Sequence, residues 1–556
     1  MQRFLLFATF ISFSLWAQTP QWDPNKKTIC SVSITSNLQV QTLIQHLKNK
    51  NEWKEWQHQE LTTFHKSGTQ NQQQWFEEAC ESGITCDVLI VTGHFGGAFF
   101  GNKQGDAYLD AETLRELSCK KKCENILRAP SEVYLFGCNT LASKDGESRT
   151  PEEYFRVLVE HGMGEAEARR SVGLRFSDVG DSFKNYMQIA FHGNSSLYGF
   201  AAPAPRSSRT APLFGSYLQK LGSYNAHFDR TTEARLTGKV KQANSLFGQT
   251  LKVDATQCNS LDSNDPRLRK LCDLLYGAFT AKQKLAMITE LINDGLNENI
   301  IVINQYFDEV FKYSSQVEDL KQEPEFHLLM QNESLRGQLM GSLQSDSPLL
   351  FSEGFKLAHR LGFVDDQTTK ELLSQKLSNW IGRDELSSEV IQDLCGKFPC
   401  LLKTVKDKSV FTSDKIYGVP TSLQSLSKEV EDQLISAHKN PGLGVYARAH
   451  ALYAILGVKF PNEGSVKYVD SLLPTKTSEK DDFFWDVADF YKRITPSPKA
   501  VDYMITAVSD RNKLYPALEV LEKANLSNEQ KKRLKLSREQ FKHDEYLLEF
   551  IDKIID

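Results

Sequence analysis

VLIVTGH (Val88 to His94) and VYLFGC (Val133 to Cys138) decide how this chain folds. Each is a short apolar run, rich in β-branched residues, that stops at a Gly followed by one reactive side chain. Such runs read as strands buried on both faces of a parallel sheet. Between them, LDAETLRELSCKKKCENIL has the charge and apolar spacing of a crossover helix. A β-α-β unit lays its two strands parallel, so both runs end at the carboxyl edge, where open α/β sheets hold their sites. The imidazole of His94 and the thiol of Cys138 are therefore expected to face one crevice.

Outward from these runs the alternation continues. TICSVSIT reads as a strand and LQVQTLIQHL as an amphipathic helix, with Leu38, Thr42 or Leu43, and Leu47 repeating at helical spacing. The aromatic and Gln-rich region from Trp53 to Phe76 has a poor pattern and yields only a helix before Cys80. Thr150 can cap a helix that opens with Pro151 and carries Phe155, Leu158 and Val159 as its apolar stripe. A strand pair is expected at MQIAFHG and SLYGFAAPAP, then a helix from Leu213 to Leu221. Strands alternating with helices over residues 26–230 specify an α/β three-layer domain with a mostly parallel sheet.

Beyond a linker at 231–258, residues 259–556 read as an all-α domain. Leu268, Leu271, Cys272 and Leu275 form one helical stripe, Leu285, Ile288, Leu291 and Ile292 a second, and Tyr446, Ala449, Tyr453 and Leu456 a third. Separators such as KNPGLG, KFPNEG and TPSPK fall at irregular spacing, which suits an irregular HEAT-like array or a compact helical domain. This half carries no legible chemistry and is expected to bind a substrate or protein partner.

Met1 to Ala17 (MQRFLLFATFISFSLWA) places one Arg ahead of an apolar stretch ending in a small residue, the pattern of a signal peptide. The stretch falls short of the ~20 residues a spanning helix needs, so the mature protein is expected to be exported, periplasmic or secreted, without a stable membrane anchor. With 556 residues, 40% hydrophobic and 25% charged, the chain can build two or more globular domains. A formal charge of −5 with mixed signs argues against nucleic acid as the partner. Ten cysteines in an exported chain invite disulfides. Eight fall into close couples, Cys80 with Cys86, Cys119 with Cys123, Cys258 with Cys272 and Cys395 with Cys400, leaving Cys30 and Cys138, although spacing alone does not fix connectivity.

A cysteine protease needs a thiolate, a histidine that takes its proton, and backbone amides aimed at the developing oxyanion. Cys138 and His94 supply the first two, and the amides of Cys138, Gly96 and Gly97 are candidates for the third. VLIVTGHFGG and SEVYLFGCNTLA together resemble the two blocks of caspase-like, clan CD cysteine peptidases, which include caspases, gingipains, legumain, separase and CHAT-domain proteases. The resemblance implies His94 as the base and Cys138 as the nucleophile. It covers about residues 26–230 in strand order, and closely only the two blocks. Phe95 stands where most of that family has Gly directly after His, which shifts the oxyanion donor to another amide or leaves the site inactive.

Other readings stay open. Cys138 can pair with Cys30 in a structural bridge, or be a small buried hydrophobe beside a loop histidine. His192 is a rival base, His161 suits a helix C-terminus, and a zinc site from His94, His161 and His192 has no support in their spacing. An acidic specificity pocket has Asp145, Asp178 and Asp181 to draw on, with substrate contacts otherwise unknown. Phe191 to Pro205 suits an edge strand beside a groove, and Asn139 and Thr140 suit a cap. The expectation is an exported cysteine endopeptidase acting on protein or peptide without metal or cofactor; the alternative is a non-catalytic secreted binding or scaffold protein with a degenerate caspase-like domain.

Overall fold

A computed structural model of the chain describes residues 22–66, 74–103, 105–144, 149–191, 195–236, 245–252, 266–474 and 483–555. Met1 to Ala17, Asp145, His192 and Cys258 lie outside the described residues. The chain divides into two compact units, one built from residues up to Phe176 and from Asp181 to Met287, the other from Ser177 to Gly180 and from Ile288 onward.

In the first unit the elements are β1 (Lys27–Ser33), α1 (Leu38–Asn49), β2 (Trp56–Glu60), α2 (Gln74–Glu81), β3 (Val88–Thr92), β4 (His94–Phe95), β5 (Ala98–Phe100), β6 (Leu109–Asp110) and α3 (Ala111–Cys119). They continue with β7 (Glu132–Phe136), α4 (Pro151–Glu160), α5 (Glu165–Phe176), α6 (Phe183–Ala190), β8 (Ser196–Tyr198), α7 (Ser207–Leu221), α8 (Tyr224–Leu236), α9 (Ser245–Leu251) and α10 (Pro266–Tyr276). Among the described residues five strands form one sheet in the order β2-β1-β3-β7-β8, every neighbouring pair parallel. The two apolar runs are adjacent: Val88 pairs with Glu132 and Thr92 with Phe136.

Alternation along these strands sorts side chains into two cores. Cys30, Val32, Leu89, Val91, Val133 and Leu135 pack under α2, α3 and α6 through Phe76, Leu114, Leu117 and Met187. Ile29, Val88, Ile90, Tyr134 and Phe136 face α1, α7, α8 and α9 through Leu43, Phe214, Tyr217, Phe228 and Phe247. Because both faces are covered, β3 and β7 are fully buried, which is why they carry no polar alternation. A second, antiparallel sheet, β4-β5-β6, follows β3 directly. Ala98 and Phe100 turn one of its faces to Tyr154 and Leu158 of α4 and Ala168 and Val172 of α5.

Several local expectations change. The described part of MQIAFHG, Met187 to Phe191, is not a strand: Phe183 to Ala190 form α6, opened by a Ser182 side chain that accepts from the Asn185 amide. WQHQE is a strand that its polar composition concealed; Ser31 of β1 bonds both His58 (2.7 Å) and Glu60 (2.7 Å) across that edge. The stretch read as a linker, 231–258, carries the end of α8 and all of α9, whose Phe247 and Leu251 enter the sheet core. The helix at Thr150 forms with a full capping box to Glu153.

Among the described residues the disulfides are Cys30–Cys86, Cys80–Cys123, Cys119–Cys272 and Cys395–Cys400. Of the close couples only Cys395 with Cys400 forms. Cys80 and Cys119 bond across the fold instead, and Cys30, on β1, joins Cys86 just ahead of the adjacent β3. The Cys30–Cys138 bridge is therefore replaced by one that leaves Cys138 free. Four disulfides fit an extracellular protein. Among the described residues no helix is long and apolar enough to cross a membrane.

The second unit is largely helical. Lys428–Lys439 packs on Val445–Leu456, Pro498–Ala507 on Leu514–Leu521, and Asn528–Arg538 on Glu545–Ile555. Of the expected stripe through Tyr446, Ala449, Tyr453 and Leu456, only Leu456 is fully buried: Tyr446 is 82% exposed, Tyr453 is exposed too, and Ala447, Ala451 and Ile455 form the core face with Leu456. Trp485, Tyr515 and Tyr546 are likewise exposed, each the second residue of its helix.

Candidate active site

The ladder between β3 and β7 runs one step past its last paired residues, because the Gly93 amide donates to the Phe136 carbonyl (3.4 Å). Gly93 then lies against Gly137: a Cβ on Gly137 would stand 3.2 Å from the Gly93 oxygen and 2.8 Å from the Phe95 Cβ. Only glycine lets the two chains approach this closely. His94 and Cys138 follow these glycines beyond the carboxyl ends of β3 and β7, separated by the same offset as Thr92 and Phe136, and His94 there begins β4 of the antiparallel sheet.

After Cys138 the chain reverses. Asn139 takes the left-handed conformation (φ 59°), which asparagine tolerates, and its amide donates to the Ala202 carbonyl (3.1 Å). The Leu141 amide donates to Phe200 (2.9 Å), and Thr140 Oγ1 accepts from the Phe200 amide (3.2 Å). Asn139 and Thr140 thus build the turn that presents Cys138, and the segment after β8, read as an edge beside a groove, is its lateral support.

The Cys138 sulfur is half-buried and accepts from the Ala204 amide at 3.3 Å, with the Ala204 oxygen 3.9 Å away. Burial pushes the thiol pKa up, opposed by the Ala204 amide, the positive charge of Arg149 and Cys138's own amide. His94, also half-buried, lies on β4 opposite Phe100. Its Nε2 is 2.9 Å from Asn102 Oδ1, and its ring meets that of His161 edge to face, centroids 4.4 Å apart. Burial lowers the His94 pKa; the Asn102 bond raises it and His161 lowers it. A raised thiol and a lowered imidazole each favour the neutral form of the group.

Gly96 donates to the Ala98 carbonyl (3.2 Å) inside the β4–β5 turn, and its own carbonyl accepts from Ser171 Oγ. Its amide is thus already hydrogen-bonded within the turn. The Gly97 carbonyl accepts from Ala111 (3.0 Å), and both glycines line a cavity of about 110 Å³ with Tyr108, Ser171 and Phe183. The amide of Cys138 lies beside its own sulfur.

His161 does end a helix as expected, its Nδ1 2.7 Å from the Val157 carbonyl oxygen, but it also abuts His94. Asp181 is tied to Arg267 (2.6 Å) and Asn185 (2.9 Å), an internal ion pair and not a pocket acid, and Asp178 is exposed. Asn102, Arg149 and Ala204 are the neighbours that sequence reading missed; GNKQGD around Asn102 has no periodicity to mark it. Among the described residues no group of three His, Cys, Asp or Glu side chains is placed to hold a metal ion. The chain matches no family model, no curated protein and no solved structure.

Proposed function

We propose that the first unit is a cysteine endopeptidase of caspase-like type, with Cys138 as nucleophile and His94 as base. One observation carries the reading: of the cysteines paired or free among the described residues, the free one follows β7, beside β3, whose carboxyl end leads through Gly93 into His94. His94 takes the thiol proton as the sulfur attacks a peptide carbonyl. A carbon–sulfur bond forms, and the carbonyl electron pair moves to oxygen, toward the Cys138 amide. Collapse of that intermediate expels the amine, which receives the proton from His94. Water, deprotonated by the same imidazole, then releases the acyl group as a free acid and restores the thiol.

In this reading the leader-like Met1 to Ala17 directs export, and the helical unit, as an irregular HEAT-like array, binds protein substrate or partner. The non-catalytic alternative draws on the engaged Gly96 amide and the burial of the thiol. A peptidyl electrophile distinguishes the two. The enzyme should become covalently labelled at Cys138 in its native state, with labelling lost in His94→Ala; a native Cys138 that takes no label supports the binding protein.

A further inference from the structure

We infer that Asn102 is the positioning residue of this site, holding His94 in the tautomer that works on Cys138; this rests on the Cys138/His94 reading above. An amide oxygen only accepts hydrogen bonds, so the His94 Nε2 that lies 2.9 Å from Asn102 Oδ1 carries the hydrogen. The lone pair is then on Nδ1, which becomes the nitrogen that receives the thiol proton. The third group thereby orients the base, as in other nucleophile–base–orienter sites, here with a neutral amide in place of a carboxylate.

The surroundings fix Asn102 and the imidazole together. Asn102 follows β5, whose Phe100 pairs with His94 in the ladder. At the end of α4, Gly162 adopts φ +101°, and a Cβ there would lie 3.0 Å from the Asn102 carbonyl carbon and 3.1 Å from its oxygen. The helix end therefore closes directly onto the Asn102 backbone, a contact that any larger residue would break. The preceding residue, His161, sets its ring edge to face with that of His94, and its own Nδ1 is 2.7 Å from the Val157 carbonyl oxygen. His94 is thus bounded by an acceptor on one side and an anchored aromatic edge on another. Because Asn102 brings no negative charge, it favours the imidazolium only through one neutral hydrogen bond, which burial of the ring outweighs, and this suits a base that must be neutral before it acts.

The test uses the full-length chain with Asn102→Ala and Asn102→Asp, each checked for an unchanged unfolding midpoint. The His94 ring is titrated by NMR, and the rate of Cys138 alkylation by iodoacetamide is followed against pH. Asn102→Asp should raise the His94 pKa by about one unit or more and move the acid limb of the alkylation profile with it. Asn102→Ala should slow alkylation about 10-fold to 100-fold, the scale of a misoriented group. An unmoved His94 pKa in Asn102→Asp, or a wild-type rate in Asn102→Ala, overturns the role of Asn102 alone. An inert Cys138 in the wild-type protein overturns the peptidase reading and the role of Asn102 with it.

Discussion

Gly93 and Gly137 touch across the end of the parallel ladder: the missing Cβ of Gly137 would stand 3.2 Å from the Gly93 carbonyl oxygen. This contact brings the two strands together immediately before His94 and Cys138. In Gly137→Ala the methyl would also meet the Phe95 Cβ at 2.8 Å and the Phe99 ring at 3.1 Å, all groups held in the core. Overpacking of this kind costs about 1–3 kcal/mol. The urea midpoint should fall accordingly and Cys138 labelling should drop with it; an unchanged midpoint would mean the strands diverge before the glycines.

A second expectation concerns acid stability. Glu132 is completely buried at the start of β7 and accepts from Tyr224 (2.6 Å) and Tyr134 (3.1 Å), with His227 Nε2 at 2.5 Å. Burial raises its pKa, but the His227 charge and the three hydrogen bonds outweigh it, so the folded carboxyl titrates below its ordinary value. A depressed carboxyl pKa adds stability that is full above the unfolded value, about 4.3, and is lost as pH falls through the folded one. The stability advantage of wild type over Glu132→Gln, measured by urea unfolding, should therefore be largest near neutrality and shrink below about pH 4. A pH-independent difference would contradict the charged state assigned to Glu132.

The Cys119–Cys272 bridge ties α3 to α10 across a sequence separation of 153. Closing so long a loop restricts the unfolded chain, and removing such a native bridge typically costs about 2–5 kcal/mol. The double variant Cys119→Ser/Cys272→Ser should unfold at markedly lower urea. Peptide mapping without reduction should recover the 119–272 linkage in the wild-type protein, and recovery of a 119–123 linkage would contradict this connectivity.

In the helical unit, Tyr446 and Ile455 of Val445–Leu456 should behave oppositely. Tyr446 is 82% exposed and Ile455 is fully buried. Tyr446→Ala should change stability by no more than about 0.5 kcal/mol, while Ile455→Ala should cost about 2–5 kcal/mol. Thermal unfolding of the two variants checks which face of this helix is the core.

How much of this was legible before any coordinates depends on what each residue's burial demanded. VLIVT and EVYLF sit between two helical layers and are apolar at nearly every position, Glu132 and Thr92 being the buried polar exceptions, so composition exposed them. WQHQE occupies the sheet edge, where Ser31, His58 and Glu60 satisfy one another, and an edge strand need not look like a strand. MQIAFHG was misread because a short apolar run satisfies a period of two and a period of 3.6 about equally well. The disulfides followed proximity in space, which crossovers decouple from spacing: Cys80 reaches Cys123 past the nearer Cys86. Within the site, His94 and Cys138 were readable because strand ends announce themselves. Asn102 and Ala204 were not, because loops bring them in through backbone contacts that leave no periodic trace.

The central claim is that Cys138 is a free thiol whose reactivity depends on His94. Its most direct test is the alkylation rate of Cys138 in the native protein, measured against pH in wild type and in His94→Ala. The expected result is rapid, site-selective modification of Cys138 near neutral pH in wild type. In His94→Ala the rate should be much lower and should climb only at alkaline pH, as a buried thiol with a raised pKa requires. Equal rates in the two proteins, or a Cys138 that reacts only after unfolding, would contradict it.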